Sequence, residues 1–164
     1  MTAAAFDPEL DLLFERVVPT PRHLVWRAWT EPETLIKWFC PRPWETVSCD
    51  IDLRPGGRFA TVMRSPEGVE VAGANCYLLV EPERRLVWTS ALTPGFRPHA
   101  QPTSDADFVF TADLTLGQEA GGTLYRAHLM HATAKDRQRH EDLGFQDGWG
   151  AALDQLVEAM AGQL

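Results

Sequence analysis

Hydrophobic and polar positions alternate along most of this chain with a period of two, and near the end the period changes to that of a helix. In LDLLFERVV (10–18) Leu10, Leu12, Phe14 and Val18 share one face, with Asp11 and Glu15 on the other, which predicts a strand. Arg16 shares the apolar face and so needs a partner or a place at the strand edge. PTPRHLVWRAWT (19–30) puts Leu24, Val25, Ala28 and Trp29 on a helical stripe, with Thr20 as N-cap and Pro21 at the first helical position. Thr30-Glu31-Pro32 stops that helix and opens a second short one through Trp38; FCPRPW (39–44) is a proline-broken exit.

Strands then follow one another. Val47, Cys49, Ile51 and Leu53 alternate with polar residues over 45–53, and Arg54-Pro55-Gly56-Gly57 makes a hairpin turn into 58–64. The 69–80 run is a long strand with Gly73 as the expected bulge, and 85–91 pairs back after a turn at 81–84. Residues 93–107 have no period and three prolines, and read as a lid, a binding loop or a plain surface excursion. Two further alternating runs, 107–117 and 123–131, carry Phe108, Phe110, Ala112, Leu114 and Leu116, then Tyr125, Ala127, Leu129 and His131 on their inner faces. From about Thr133 a single helix is expected over 136–163, with Phe145, Trp149, Leu153, Leu156 and Met160 as its apolar stripe.

Strands joined by tight turns form an antiparallel meander, and an amphipathic helix is unstable in water until its apolar face is covered. The expected fold is therefore α+β: a curved antiparallel sheet of six or seven strands wrapping a long C-terminal helix, with two short helices after the first strand. One domain over residues 1–164 is expected, with 1–9 a frayed lead-in.

Composition sharpens this picture. Six Trp and eight Phe against two Tyr make the aromatic set strongly apolar. Net charge is −8 with no basic run, so neither nucleic acid nor an anionic membrane surface is expected as a partner. No signal-peptide pattern opens the chain and no apolar run is long enough for a membrane span, so the cytoplasm is the expected compartment. Cys40, Cys49 and Cys76 are odd in number and widely spaced, which argues against disulfides and zinc.

The inner faces supply candidate ligand-contacting residues: Phe59, Met63, Trp88, Phe110, Leu129, Phe145 and Trp149, with Tyr125 and His131 as polar groups able to orient a ligand. Each of them also suits an ordinary core position. Gly144, Gly148 and Gly150 sit in the predicted last helix, where each costs about 0.8–1 kcal/mol relative to alanine. Close packing accounts for them somewhat better than empty volume kept for a ligand. His128 and His131 form HxxH, but on a strand they face opposite ways and cannot share a metal, so no metal or cofactor is expected. A Cys49 or Cys76 pairing with His131 is imaginable, yet both thiols sit mid-strand in apolar runs. No catalytic motif emerges, and the balance falls against an enzyme.

PTPRHLVWRAWTEPETLIKWF, RPGGRF, EPERRLVWT and GFQDGWGAALDQL, in that order and spacing, resemble the SRPBCC superfamily, the START-like and birch-pollen-allergen-like helix-grip proteins. Within it the chain is similar to proteins grouped with the C-terminal domain of the heat-shock chaperone ATPase activator, over Leu10 to Met160. The resemblance implies a deep apolar cavity between sheet and helix, and frequent dimers in crystals, hence a homodimer as one arrangement. It implies no single activity, since such proteins bind lipids, hormones or polyketides and some are cyclases. Binding of a small apolar molecule is the leading expectation. The alternatives are a cyclase- or hydrolase-like enzyme using His131 and Tyr125, or a co-chaperone exposing an apolar patch around Trp44, Phe96 and 93–107.

Overall fold

The computed structural model describes residues 4–100 and 107–163. Seven strands form one antiparallel sheet: β1 (Asp11–Val18), β2 (Glu45–Ile51), β3 (Arg58–Arg64), β4 (Glu70–Glu81), β5 (Arg85–Thr89), β8 (Phe110–Glu119) and β9 (Gly122–His131). Their spatial order is β1-β9-β8-β5-β4-β3-β2. The chain thus starts on one edge, crosses to the other through α1 (Arg22–Thr30) and α2 (Pro32–Leu35), and meanders back. A two-stranded ribbon, β6 (Leu92–Thr93) and β7 (Arg97–Pro98), occupies the first part of the 93–107 segment; part of that expected loop lies outside the described residues.

The C-terminal region differs from the single helix expected. It breaks into α3 (Ala134–Asp142) and α4 (Phe145–Met160), followed by a short turn of 3₁₀ helix over Ala161–Gln163. Gly144 is the break, with φ +91 in the left-handed region where a side chain would be strained. The two helices differ in kind. α3 buries no residue, whereas α4 buries Phe145, Leu153, Leu156 and Met160. That stripe lies across the sheet's inner face, so the helix-grip arrangement holds with a shorter gripped helix.

The inner face carries a single aromatic-rich core that includes Phe14, Phe59, Tyr77, Trp88, Leu114, Tyr125 and Leu129. Arg16, on the same face of β1, finds its partner in Asp154 of α4 at 2.6 Å. Other local details shift by a residue or two. Pro21 rather than Thr20 caps α1, and the Thr20 carbonyl instead accepts from the Thr123 hydroxyl at 2.7 Å. The register irregularity of β4 falls between Tyr77 and Leu79 against β5, not at Gly73, which pairs regularly with Thr61. The Arg54–Gly57 turn is present; a Cβ at Gly57 would lie 1.9 Å from the Asp52 carbonyl oxygen, so only glycine passes there.

The outer face is not wholly solvated, contrary to the simple alternation. Asp11 and His128 are both buried and bonded at 2.8 Å, and Asp113 is buried in a two-pronged ion pair with Arg85. Charge-assisted pairing of this kind is what makes such burial tolerable.

One side chain fastens α4 to the segment after α2. The Gln155 amide oxygen accepts from the Arg42 backbone N–H at 2.9 Å, and its amide nitrogen donates to the carbonyls of Trp38 and Cys40 at 3.1 and 2.8 Å. Replacing buried Gln155 by Leu strands those three backbone groups. The expected loss is about 3 kcal/mol in denaturant unfolding. Gln138→Leu on exposed α3 should cost no more than about 0.5 kcal/mol.

Candidate functional site

Between sheet and α4 lies an apolar cleft of about 500 Å³. The sheet supplies Met63, Trp88, Phe110 and Tyr125, and α4 supplies Phe145, Gly148, Trp149 and Ala152. Trp29 of α1 and residues 38–41 close one side, while Phe108, His140 and Leu143 border another. Leu143 is 71% exposed, which marks the open rim. Among the described residues, no Asp, Glu, Lys or Arg borders the cleft.

Glycine explains why the space is there. A Cβ at Gly144 or Gly148 would meet nothing within 4 Å, so these two do not serve close packing. Gly150 does: its Cβ would lie 2.9 Å from the Arg16 guanidinium and 3.8 Å from Phe14. The close-packing expectation therefore fits Gly150, open volume fits Gly148, and Gly144 is required by its left-handed φ of +91.

Of the residues singled out from the sequence, Met63, Trp88, Phe110, Tyr125, Phe145 and Trp149 border the cleft. Phe59, Leu129 and His131 do not. Phe59 is fully buried, stacked on Tyr77 at 5.5 Å and 10° and edge-on to Trp88 and Phe39. Leu129 is equally buried in the core. His131 is turned away by two hydrogen bonds, to the Leu10 carbonyl at 2.8 Å and to His140 Nδ1 at 2.9 Å. Sequence reasoning missed His140, which lies on an otherwise polar helix, and missed the wall around Trp29 and Trp38. The Trp29 stripe and the aromatic run through Phe39 were the available signals. Trp29 stacks on Trp149 at 6.1 Å and meets Trp38 at 5.0 Å.

The polar atoms around the cleft are few. Trp29 Nε1 donates to the Tyr125 oxygen at 3.2 Å, and Trp38 Nε1 donates to the Ala28 carbonyl at 3.0 Å. Burial holds the Tyr125 phenol far above its usual range, so it stays protonated. His140 packs among Phe108, Phe110 and Phe145 at ring distances of 4.9, 4.9 and 5.5 Å. Burial, then the neighbouring His131, pushes it down to about 4, and burial lowers His131 as well. Both rings are thus neutral near pH 7, which fixes their tautomers. The Leu10 carbonyl only accepts, so His131 carries its proton on Nδ1, and His140 must donate from Nδ1 into the bare His131 Nε2. Cys40 and Cys49 are poor nucleophiles: burial raises Cys40 and lifts Cys49 to about 11. His131 bonds to neither Cys49 nor Cys76, and among the described residues no group of three or more His, Cys, Asp or Glu side chains is placed to hold a metal ion.

The family model described as Activator of Hsp90 ATPase homolog 1-like protein matches residues 19–161. A crystal structure of a protein from Nitrosomonas europaea is 45% identical, covers 96% of this chain and 98% of its own, and superposes with a TM-score of 0.90. A Mycobacterium smegmatis protein is 25% identical over 92% of this chain and 90% of its own, with a TM-score of 0.74. An AHSA1-like protein from Aeromonas hydrophila shares the fold at 20% identity, 94% coverage of each chain and a TM-score of 0.68. No curated protein matches.

The buried histidines make stability depend on pH in a definite direction. An unfolded histidine takes a proton near 6.5, whereas folded His140 resists until about 4. Stability is therefore full above about pH 6.5 and is lost progressively as pH falls towards 4. Thermal unfolding midpoints measured between pH 8 and pH 4 should fall across that window, and His140→Asn, which keeps a donor for His131, should flatten the decline.

Proposed function

The chain belongs to the Activator of Hsp90 ATPase homolog 1-like family, and we propose that it binds a small apolar molecule in the cleft between its sheet and α4. The observation that carries this reading is an apolar space of about 500 Å³ that no charged side chain among the described residues borders. That volume falls within the roughly 300–1,000 Å³ of small-molecule sites, and its aromatic walls suit a ligand held mainly by exclusion of water.

The presence of Gly148 supports it. This residue lies inside α4 with nothing within 4 Å of a built Cβ, so alanine would fit without strain. Glycine there gives up about 0.8–1 kcal/mol of helix propensity. A protein selected for stability alone gains by filling the position; one that needs the room does not.

Two variants and one measurement test the reading. Gly148→Ala should stabilise the protein by about 1 kcal/mol in denaturant unfolding. Gly148→Leu should narrow the cleft and weaken binding while leaving the fold intact. Native mass spectrometry of freshly purified wild-type protein should show a bound small molecule, or a screen of apolar compounds should raise its melting temperature through mass action. Wild-type protein that carries nothing and is stabilised by no apolar compound would rule the proposal out.

A further inference from the structure

The wall that α3 lends to the cleft is fastened differently from the others. α3 buries no residue, yet His140 near its end and Leu143 just beyond it border the cleft. Two bonds tie it to the sheet: His140 Nδ1 donates to His131 Nε2 of β9 at 2.9 Å, and Arg137 Nε donates to the Asp11 carbonyl of β1 at 3.3 Å. Further bonds stay within the helix and its cap, between Arg137 and Glu141, between Gln138 and Asp142, and from the Asp136 N–H to the Thr133 hydroxyl.

Both ends of α3 are jointed. Ala132 and Thr133 bend between β9 and the helix, and Gly144 at φ +91 separates it from α4. Swinging α3 outward therefore uncovers none of the core, whereas moving α4 would bare Phe145, Leu153, Leu156 and Met160.

A proton decides the balance. His140 sits among Phe108, Phe110 and Phe145, and the one titratable group acting on it is His131. The residues before β8, β8 itself and α4 thus meet it with rings alone. Around His131, Asp11 of β1 and Asp136 of α3 favour a charge and Arg137 of α3 opposes it, but burial outweighs them all. A positive charge on this pair is opposed while α3 lies against the sheet and unopposed once the imidazole reaches water.

We propose that α3 is a hinged lid on the cleft, latched by the His140–His131 hydrogen bond and released when that pair takes up a proton. The inference rests on the ligand-binding reading above and adds to it how the cleft is opened. An open lid leaves His140 near the ordinary 6.5, and a closed one holds it at about 4, so acid favours the open form. From these two values the open fraction rises about 30-fold between pH 7.5 and pH 5.

A nine-residue helix detached from the body does not stay folded, so each opening exposes its amides to exchange. In native-state hydrogen exchange of the wild type, the α3 amides should exchange well ahead of those of α4 and β9, through an opening that low urea does not accelerate. Corrected for intrinsic rates, that opening should become about 30-fold more frequent from pH 7.5 to pH 5. His140→Phe keeps a ring in the cluster and removes the titrating group, so its α3 opening should lose this dependence. A second measurement needs no variant: the neutral fluorophore phenylnaphthylamine should enter the wild-type cleft faster in acid, with the same pH profile. Exchange of α3 only together with α4 and β9, or an opening indifferent to pH in wild type, overturns the lid. A pH dependence that survives in His140→Phe overturns the latch, and dye entry at a rate that ignores the opening of α3 overturns its role as the way in. Absence of any dye binding, with apolar compounds also without effect on melting, overturns the ligand-binding reading, and the lid falls with it even where α3 opens in acid.

Discussion

Water has to be kept from the apolar stripe of α4, and most of the architecture follows from how that is done. Phe145, Leu153, Leu156 and Met160 are buried along sixteen residues of helix, a surface that no isolated helix could leave bare. The sheet supplies the cover. Because the strands twist, its face is hollow, and a cylinder laid in a hollow touches along some lines and stands off along others. Contact is made where Gly150 lets α4 settle on Phe14 and Arg16. Stand-off occurs where Gly148 offers no side chain at all, and there the cleft remains. Close approach and open space are thus two results of the same docking, set two residues apart.

Polar groups drawn into this assembly are matched with unusual economy. Gln155 satisfies three backbone groups of the chain that returns from α2, and so fixes where the Trp38–Pro41 wall stands relative to the helix. On the far side of the sheet, Asp11 with His128 and Asp113 with Arg85 bury charge in pairs. Against this background three buried side-chain atoms stand out among the described residues as having no partner: Arg22 Nε, Tyr77 Oη and Trp88 Nε1.

The strands and the gripped stripe were legible because both are periodic: alternation at Leu12 and Phe14, or at Leu114 and Leu116, reports burial directly. What escaped was not periodic. The break at Gly144 lay hidden because glycine is tolerated in helices, and only the backbone conformation shows that it ends one and starts another. The burial of Asp11 and Asp113 contradicts a local rule for reasons that lie in partner strands and cannot be seen along one. For the site, inward-facing residues could be identified, but which of them meet open space depends on the stand-off between sheet and helix. Phe59 and Trp88 are alike in sequence pattern; one is sealed behind Tyr77 and the other faces the gap. His140 was invisible because its helix has no buried face, and its role comes from reaching back to His131.

The aromatic lining has an optical consequence. Trp29, Trp38, Trp88 and Trp149 border the cleft, four of the six tryptophans in the chain. Trp29 lies 5.0 Å from Trp38 and 6.1 Å from Trp149, close enough for excitation to pass among these three before it is emitted. The interior is therefore a single antenna coiled around the space it encloses. A near-ultraviolet absorber that settled there would drain light from several emitters at once, so the protein carries a built-in, label-free gauge of whether its hollow is full.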